Sequence, residues 1–283
     1  MSSSERPVTL LDKDDVLGGL FSSWDGIATL LADLSDDEWR TATSLPGWDV
    51  HDVVAHMAGT ESMLLGLATP EPDVDLATVE HVRNFVGAMN EPWVRYLRGE
   101  SGAQLLERFR DVTAQRRAVL AVIPVEEWNA PTQTPAGPDS YGRFMRIRTF
   151  DCWMHEQDIR AALGREPSAA QLSGADAQQS LDEMAASMSF VVGKKGQAPE
   201  GSRVLLKLTG PLSREIRVAV DGRAALVEDF GGAEPTAVIT LDGLQFTRLA
   251  GGRGLVSYRP ADIGYSGDAV LGARIVENLA YVI

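Results

Sequence analysis

The residues best placed to do chemistry in this chain are its histidines and the carboxylates beside them. There are four histidines: His51, His56, His81 and His155. Asp151 and His155 stand four apart in a stretch that reads as helix, so they share one face. Asp158 lies three residues further along that face. A carboxylate and an imidazole one turn apart can both grip one metal ion. His56 sits mid-helix in DVVAHMAGTE, among apolar neighbours. Packed side by side, the two helices bring His56 to Asp151 and His155 across a core. Two histidines and one carboxylate leave a fourth position open, the pattern of a catalytic rather than a structural zinc site. Helical bundles build metal sites from facing helices in this way.

Plainer explanations stand beside these. An Asp–His pair at this spacing is often only a surface hydrogen bond. A histidine on an apolar face is more often a satisfied core residue than a ligand. Asp52 reads as a capping residue at the third helical position. His51 reads as a solvated residue near a helix start, and His81, with Glu80 beside it, as surface. Cys152 points about 100° away from Asp151 around the helix, as a buried small side chain rather than a nucleophile. Trp48 and Trp153 read as packing.

The elements that must position these groups are mostly helical. Leu17, Leu20, Phe21, Trp24, Ile27, Leu31 and Leu34 recur at three- and four-residue spacing. Thr9 with Asp12 is a candidate capping box before them. Ser35 with Glu38, and Asp49 with Asp52, mark two further helix starts. Val79 to Met89 predicts another helix, disturbed near Pro92, and Leu105 to Ile123 one more. Pro131 to Pro138 is rich in breakers and reads as a loop. Tyr141 to Leu163 reads as a long helix stopped by Gly164. Long helices with short connections predict an antiparallel bundle. After a helical stretch at Ala175 to Phe190 and a turn or linker at 193–201, the period drops to two. Val204/Leu206/Leu208, Ile216/Val218/Val220 and Ala237/Ile239/Leu241 predict strands. Helical spacing returns at Leu244 to Leu249 and Val270 to Val282. The fold class expected is α+β: a helical bundle over 1–166 and a small α+β domain over 167–283.

Composition removes several function classes. The 283 residues carry 26 Lys and Arg against 40 Asp and Glu, a net charge of −14. Such a surface repels nucleic-acid phosphates and anionic lipid headgroups, so neither is an expected partner. One cysteine excludes a disulfide framework and any CxxC site. The N-terminus lacks an export signal and no apolar run is long enough to span a membrane, so a cytoplasmic protein is expected. No dinucleotide, Walker or GxSxG pattern occurs in a fitting context, and the strands lack the basic and aromatic interleaving of RNA binders.

LPGWDVHDVVAHMAGTE and RTFDCWMHEQDIRAALG resemble the mycothiol-dependent maleylpyruvate isomerase family of actinobacteria, within the wider DinB-like superfamily of metal-binding four-helix bundles. TGPLSREIRVAVDG, AVITLDGLQFTRLAGGR and GDAVLGARIVENLA resemble that family's sterol-carrier-like C-terminal domain. The resemblance covers nearly the whole chain. It implies a divalent metal, zinc above all, on His56, Asp151 and His155, with mycothiol as thiol cosubstrate. It also implies a small anionic or electrophilic substrate, whose cis double bond is attacked by the thiolate, rotates as a single bond and is released as the trans isomer. The characterised isomerases have a glutamate where this chain has Asp151, and a histidine where it has Glu156. Those departures bear on the substrate more than on the metal. The family's arginine from the C-terminal domain corresponds to Arg253 in LAGGR, with Arg248 as competitor. Arg253 either grips a substrate carboxylate or anchors its loop. Two other functions fit the same residues: a mycothiol S-transferase or other DinB-like detoxification enzyme, and a non-enzymatic protein that holds a small apolar ligand.

Overall fold

The computed structural model describes residues 7–253 and 262–282. Residues 1–6, part of the stretch read for an export signal, lie outside the described residues, as do 254–261 and 283. The chain divides into two compact units, Met1–Pro167 and Ser168–Ile283.

The first unit holds α1 (Lys13–Leu30), α2 (Asp36–Trp39), α3 (Val50–Leu64), α4 (Phe85–Leu97), α5 (Gly102–Val122), α6 (Val125–Trp128), a hairpin of β1 (Pro131–Thr134) and β2 (Gly137–Ser140), and α7 (Tyr141–Leu163). The four long helices α1, α3, α5 and α7 pack as a bundle: α1 against α7 and α5, and α3 against α5 and α7. Their shared core takes Leu20, Trp24 and Ile27 from α1, Val53, Val54 and Met57 from α3, Leu105 and Phe109 from α5, and Met145, Cys152 and Ile159 from α7. The α1 residues are the stripe that the sequence marks at helical spacing, and their burial is what holds the helix in place.

Local chemistry sets the helix ends. Ser35 with Glu38 and Asp49 with Asp52 form reciprocal capping boxes at α2 and α3. Ser140 caps α7, which ends where Gly164 turns left-handed at φ 65°. Other expectations are corrected. Asp12 caps α1 alone, by accepting from the Asp15 amide. Thr9 instead donates its amide (2.6 Å) and hydroxyl (3.0 Å) to Asp139. The Val79–Met89 pattern does not make one helix. Asn84 caps α4, accepting from the Gly87 amide at 2.9 Å, and the helix then runs through Pro92. The Pro131–Pro138 stretch is a hairpin rather than a loop. Pro131 opens β1, where no ladder donor is needed, and Gly137 supplies φ 98° at the turn.

Asp139 ties the start of the chain to the start of α7. Burial pushes its carboxyl up, but Arg143, Thr9 and the Ser140 amide more than offset this and hold it at about 2. A depressed folded-state pKa gives stability that is full above the ordinary aspartate value and lost as pH falls through it. Acid unfolding of the wild type between about pH 4 and pH 2 should therefore be steeper than that of Asp139→Asn. Equal slopes in a circular-dichroism titration would contradict the tie.

The second unit begins with α8 (Ala169–Leu172), α9 (Ala175–Ala186) and α10 (Met188–Phe190), extended by a π turn at Val191–Lys195. A five-stranded sheet follows, of β3 (Arg203–Thr209), β4 (Arg214–Asp221), β5 (Arg223–Leu226), β6 (Ala237–Asp242) and β7 (Gly264–Gly267), in the order β5-β4-β3-β6-β7. Only β3 and β6 run parallel. Leu206 lies opposite Ile216 on one side and Ile239 on the other, and all three are buried. This is the period-two face of the sequence. It is covered by α11 (Gly243–Ala250) and α12 (Ala269–Glu277), which contact β6. Helix α12 stops at Glu277, short of the expected Val282. The fold class is α+β, with a helical N-terminal and a sheet-bearing C-terminal part. Among the described residues, no helix is long and apolar enough to cross a membrane.

Candidate metal centre

Helices α3 and α7 pack face to face and bring His56, Asp151 and His155 together. One possible ligand atom from each lies within 4.8 Å of the others. His56 Nε2 is 3.2 Å from Asp151 Oδ2, and His155 Nε2 is 3.5 Å from Asp151 Oδ1. The two imidazole centroids are 4.9 Å apart, edge to face. Both histidines are buried, while the Asp151 side chain keeps 29 % of its surface, so the cluster has one open side.

Further residues of α7 hold these groups in place. Asp158 Oδ2 is 3.1 Å from His155 Nδ1 and is placed to accept a proton from it, while Nε2 faces Asp151. Ser44 donates to the other Asp158 oxygen at 3.3 Å. Arg148, one turn before Asp151, pairs with its Oδ2. Arg148 also donates to Glu61 at 3.0 Å, and Glu61 accepts at 3.0 Å from Arg116 of α5. A buried row of alternating charge therefore runs Arg116, Glu61, Arg148, Asp151. Sequence reading did not single out the first three. The position of Arg148 at i−3 from Asp151 was a usable signal, whereas Glu61 and Arg116 gave none.

The electrostatics suit a cation. Burial pushes Asp151 up, but Arg148, His56 and His155 hold it well below the usual carboxylate range, so it is charged. Burial lowers His56, and Asp151 only partly offsets this, which favours the neutral form that a metal ligand must have. His155 is also pulled down by burial, yet Asp151 and Asp158 more than compensate and its pKa is raised. Two imidazole Nε2 atoms and a carboxylate converging on one point form a borderline donor set that fits a divalent transition metal.

Cys152 adjoins the site without joining it. It is fully buried, and burial, opposed by Arg148 and reinforced by Glu61 and Asp151, pushes its thiol up to about 12. It is therefore a protonated core residue and not a source of thiolate. Dithiobis-nitrobenzoate should label no thiol in the folded protein and one per chain in guanidinium; rapid labelling of folded protein would contradict this.

Two histidine expectations are corrected. His51 is fully buried, with Nε2 3.0 Å from the Glu100 carbonyl and its ring edge-on to Trp39. His81 is not on a helix and lies 2.8 Å from the buried Glu91. Asp49, His51 and Asp52 form a second cluster of possible ligands. There, Asp52 takes two bonds of 2.9 Å from Arg98, and Asp49 caps α3, so those groups already serve the fold. Trp48 does more than pack: its ring lies 5.4 Å from that of His56. Glu156, at the departure from the resembled motif, pairs with Arg160 at 2.7 Å. Arg253 follows α11; its amide donates to the Arg248 carbonyl at 2.8 Å and its guanidinium to the Gly251 carbonyl.

Fold and site together define a class: a helical bundle with a buried His–Asp–His cluster drawn from two of its helices, followed by an α+β unit. Comparison narrows that class. The family model for the mycothiol maleylpyruvate isomerase N-terminal domain matches residues 20–160, and that family's C-terminal domain model matches 178–274. The chain belongs to the mycothiol-dependent maleylpyruvate isomerase family. A crystal structure of the mycothiol-dependent maleylpyruvate isomerase shares its fold at a TM-score of 0.58 and 18% identity, covering 90% of this chain and 93% of that one. A histidine-to-alanine variant of that enzyme gives 0.57 and 17%, over the same shares of both chains. An uncharacterised protein of Mycobacterium tuberculosis, matched in two strains, is 24% identical over 158 residues. That match spans 55% of this chain and 59% of the relative's length.

Proposed function

We propose that this chain is a metal-dependent, mycothiol-using isomerase of the reducing cytoplasm, acting on maleylpyruvate or a close relative. The observation that carries the reading is the convergence of His56, Asp151 and His155 within 4.8 Å at a site with one open side. Family membership supports the same reaction. Bound by those three side chains, zinc or another divalent ion supplies one thing: loss of the proton from a thiol that ordinarily titrates near 8.5.

The protein's own residues do the rest. Asp158 is placed to accept a proton from Nδ1 of His155, whose Nε2 faces the site. Arg148 fixes the Asp151 carboxylate and keeps it ionised in a buried setting. The bundle buries both imidazoles, and exclusion of water strengthens each charge interaction there. To Arg253 we assign the grip on a substrate carboxylate, because bidentate contact with guanidinium suits that group. The overall reaction adds the thiol sulfur to a cis double bond conjugated to a carbonyl, permits rotation, and expels the sulfur to leave the trans product.

The test is an assay of purified protein with maleylpyruvate. Conversion to fumarylpyruvate that needs both mycothiol and bound metal is the expected result. A stable thiol adduct that accumulates without isomerised product would point to a transferase and overturn the isomerase reading.

A further inference from the structure

A second polar assembly stands behind the cluster, and the reaction as described does not use it. Trp48 occupies the last position before the α3 cap, and its indole is tilted over both imidazoles, 5.4 Å from His56 and 6.4 Å from His155 by ring centroids. It is half-buried, whereas those two are buried. Its Nε1 donates to Glu91 Oε2 at 3.3 Å. The same oxygen lies 2.8 Å from His81 Nε2. Glu91 belongs to α4 and is fully buried; its second oxygen, Oε1, has no hydrogen-bond partner, and the nearest cation is Arg95 at 3.8 Å.

A carboxylate is costly to bury unless it is paired and hydrogen-bonded. Here one oxygen takes both contacts, one with the Trp48 indole and one with His81. Two glycines make the approach possible. Gly59 on α3 has no Cβ to meet Trp93, which would lie 2.5 Å away, so α4 can come close enough to bring Glu91 in. Gly47 has φ +79°, and a Cβ there would sit 2.4 Å from His81 Nδ1. The Trp48 carbonyl is pinned separately by the amide and hydroxyl of Thr43, at 3.1 and 2.8 Å. The indole is thus fixed at its backbone end and at its Nε1 end.

We propose that Glu91, braced by His81, is a positioning residue that holds the Trp48 indole as the rigid aromatic wall of the His56–Asp151–His155 site. The wall keeps water from one flank of the imidazoles and defines the space beside them. The inference rests on the reading that those three residues hold a divalent ion, and it deepens that reading by naming what shapes the pocket.

Cobalt(II) alone is the probe, added to metal-free full-length protein. Tryptophan emission is followed together with cobalt stoichiometry. In the wild type, bound cobalt should quench a distinct share of the emission. Trp48→Phe should bind cobalt and lose most of that share. Glu91→Ala should bind cobalt but lose at least half of it, because the indole is no longer held. Glu91→Gln should retain it, since one carbonyl oxygen can accept both bonds. A merely structural role for Glu91 would not produce this split. His81→Ala, at a partly exposed position, tests the same brace should Glu91→Ala fail to fold, and should weaken the quench in the same direction. The proposal is overturned if cobalt binds but Trp48→Phe leaves the quench intact, or if folded Glu91→Ala or His81→Ala keeps it whole. Failure of the wild type to bind cobalt would remove the metal reading and this inference with it.

Discussion

His56→Ala protein, purified after growth with added zinc, is expected to carry no stoichiometric metal and to lose mycothiol-dependent turnover. The imidazole of His56 is one of three donors within 4.8 Å, and the only one from α3. Without it, Asp151 and His155 remain as a two-donor site on a single helix turn, too few for a tight catalytic centre. The loss of turnover should exceed the roughly 10–100-fold that follows removal of a residue supporting a ligand. His155→Ala should do the same, while Asp158→Asn should fall within that smaller range. Fold and thermal midpoint should change little in His56→Ala, because its ring has few partners beyond the site and its Nδ1 has none. Elemental analysis beside a turnover assay checks both parts. A His56→Ala protein with full metal and full rate would refute the assignment.

Glu61→Ala is expected to be the most destabilising single change in the bundle. Glu61 is fully buried and accepts from two buried guanidiniums, Arg116 at 3.0 Å and Arg148 at 2.9 Å. Its removal leaves two positive charges facing each other in the core. Breaking a buried pair from one side costs about 3–5 kcal/mol, a large part of the 5–15 kcal/mol that holds a typical domain together. Urea unfolding should show a loss of at least about 3 kcal/mol. A loss below about 1 kcal/mol, the range of an exposed pair, would show that the network is solvated in solution. The same change loosens Arg148, the partner of Asp151, so weaker metal binding should accompany it in whatever protein still folds.

Both expectations show which features were legible in the sequence. Features set by near neighbours were readable: the capping boxes at Ser35 and Asp49, the span of α7 up to Gly164, and the alternation that makes β3, β4 and β6. The proximity of Asp151 to His155 follows from one helical turn. The approach of His56 to both needed a further assumption, that α3 and α7 pack side by side, and the geometry meets it. Features set by distant partners were not readable. His51 looks solvated from its place near a helix start, yet the Glu100 carbonyl and Trp39 bury it. His81 looks like surface until Glu91 reaches it from α4. Glu61 and Arg148 lie 87 positions apart, and no periodicity announces a buried ion pair. The hairpin at Pro131–Ser140 was hidden because its prolines and glycine signal breaks, while the pairing itself lies in the backbone.

The most direct test of the central claim is an anomalous difference map from crystals of the active protein, recorded just above the zinc absorption edge or that of whichever metal elemental analysis finds. The account predicts one dominant peak, ligated by His56 Nε2, the Asp151 carboxylate and His155 Nε2, with a remaining position open on the exposed side of Asp151. No peak there in active protein, or a dominant peak at Asp49, His51 and Asp52 instead, would contradict it.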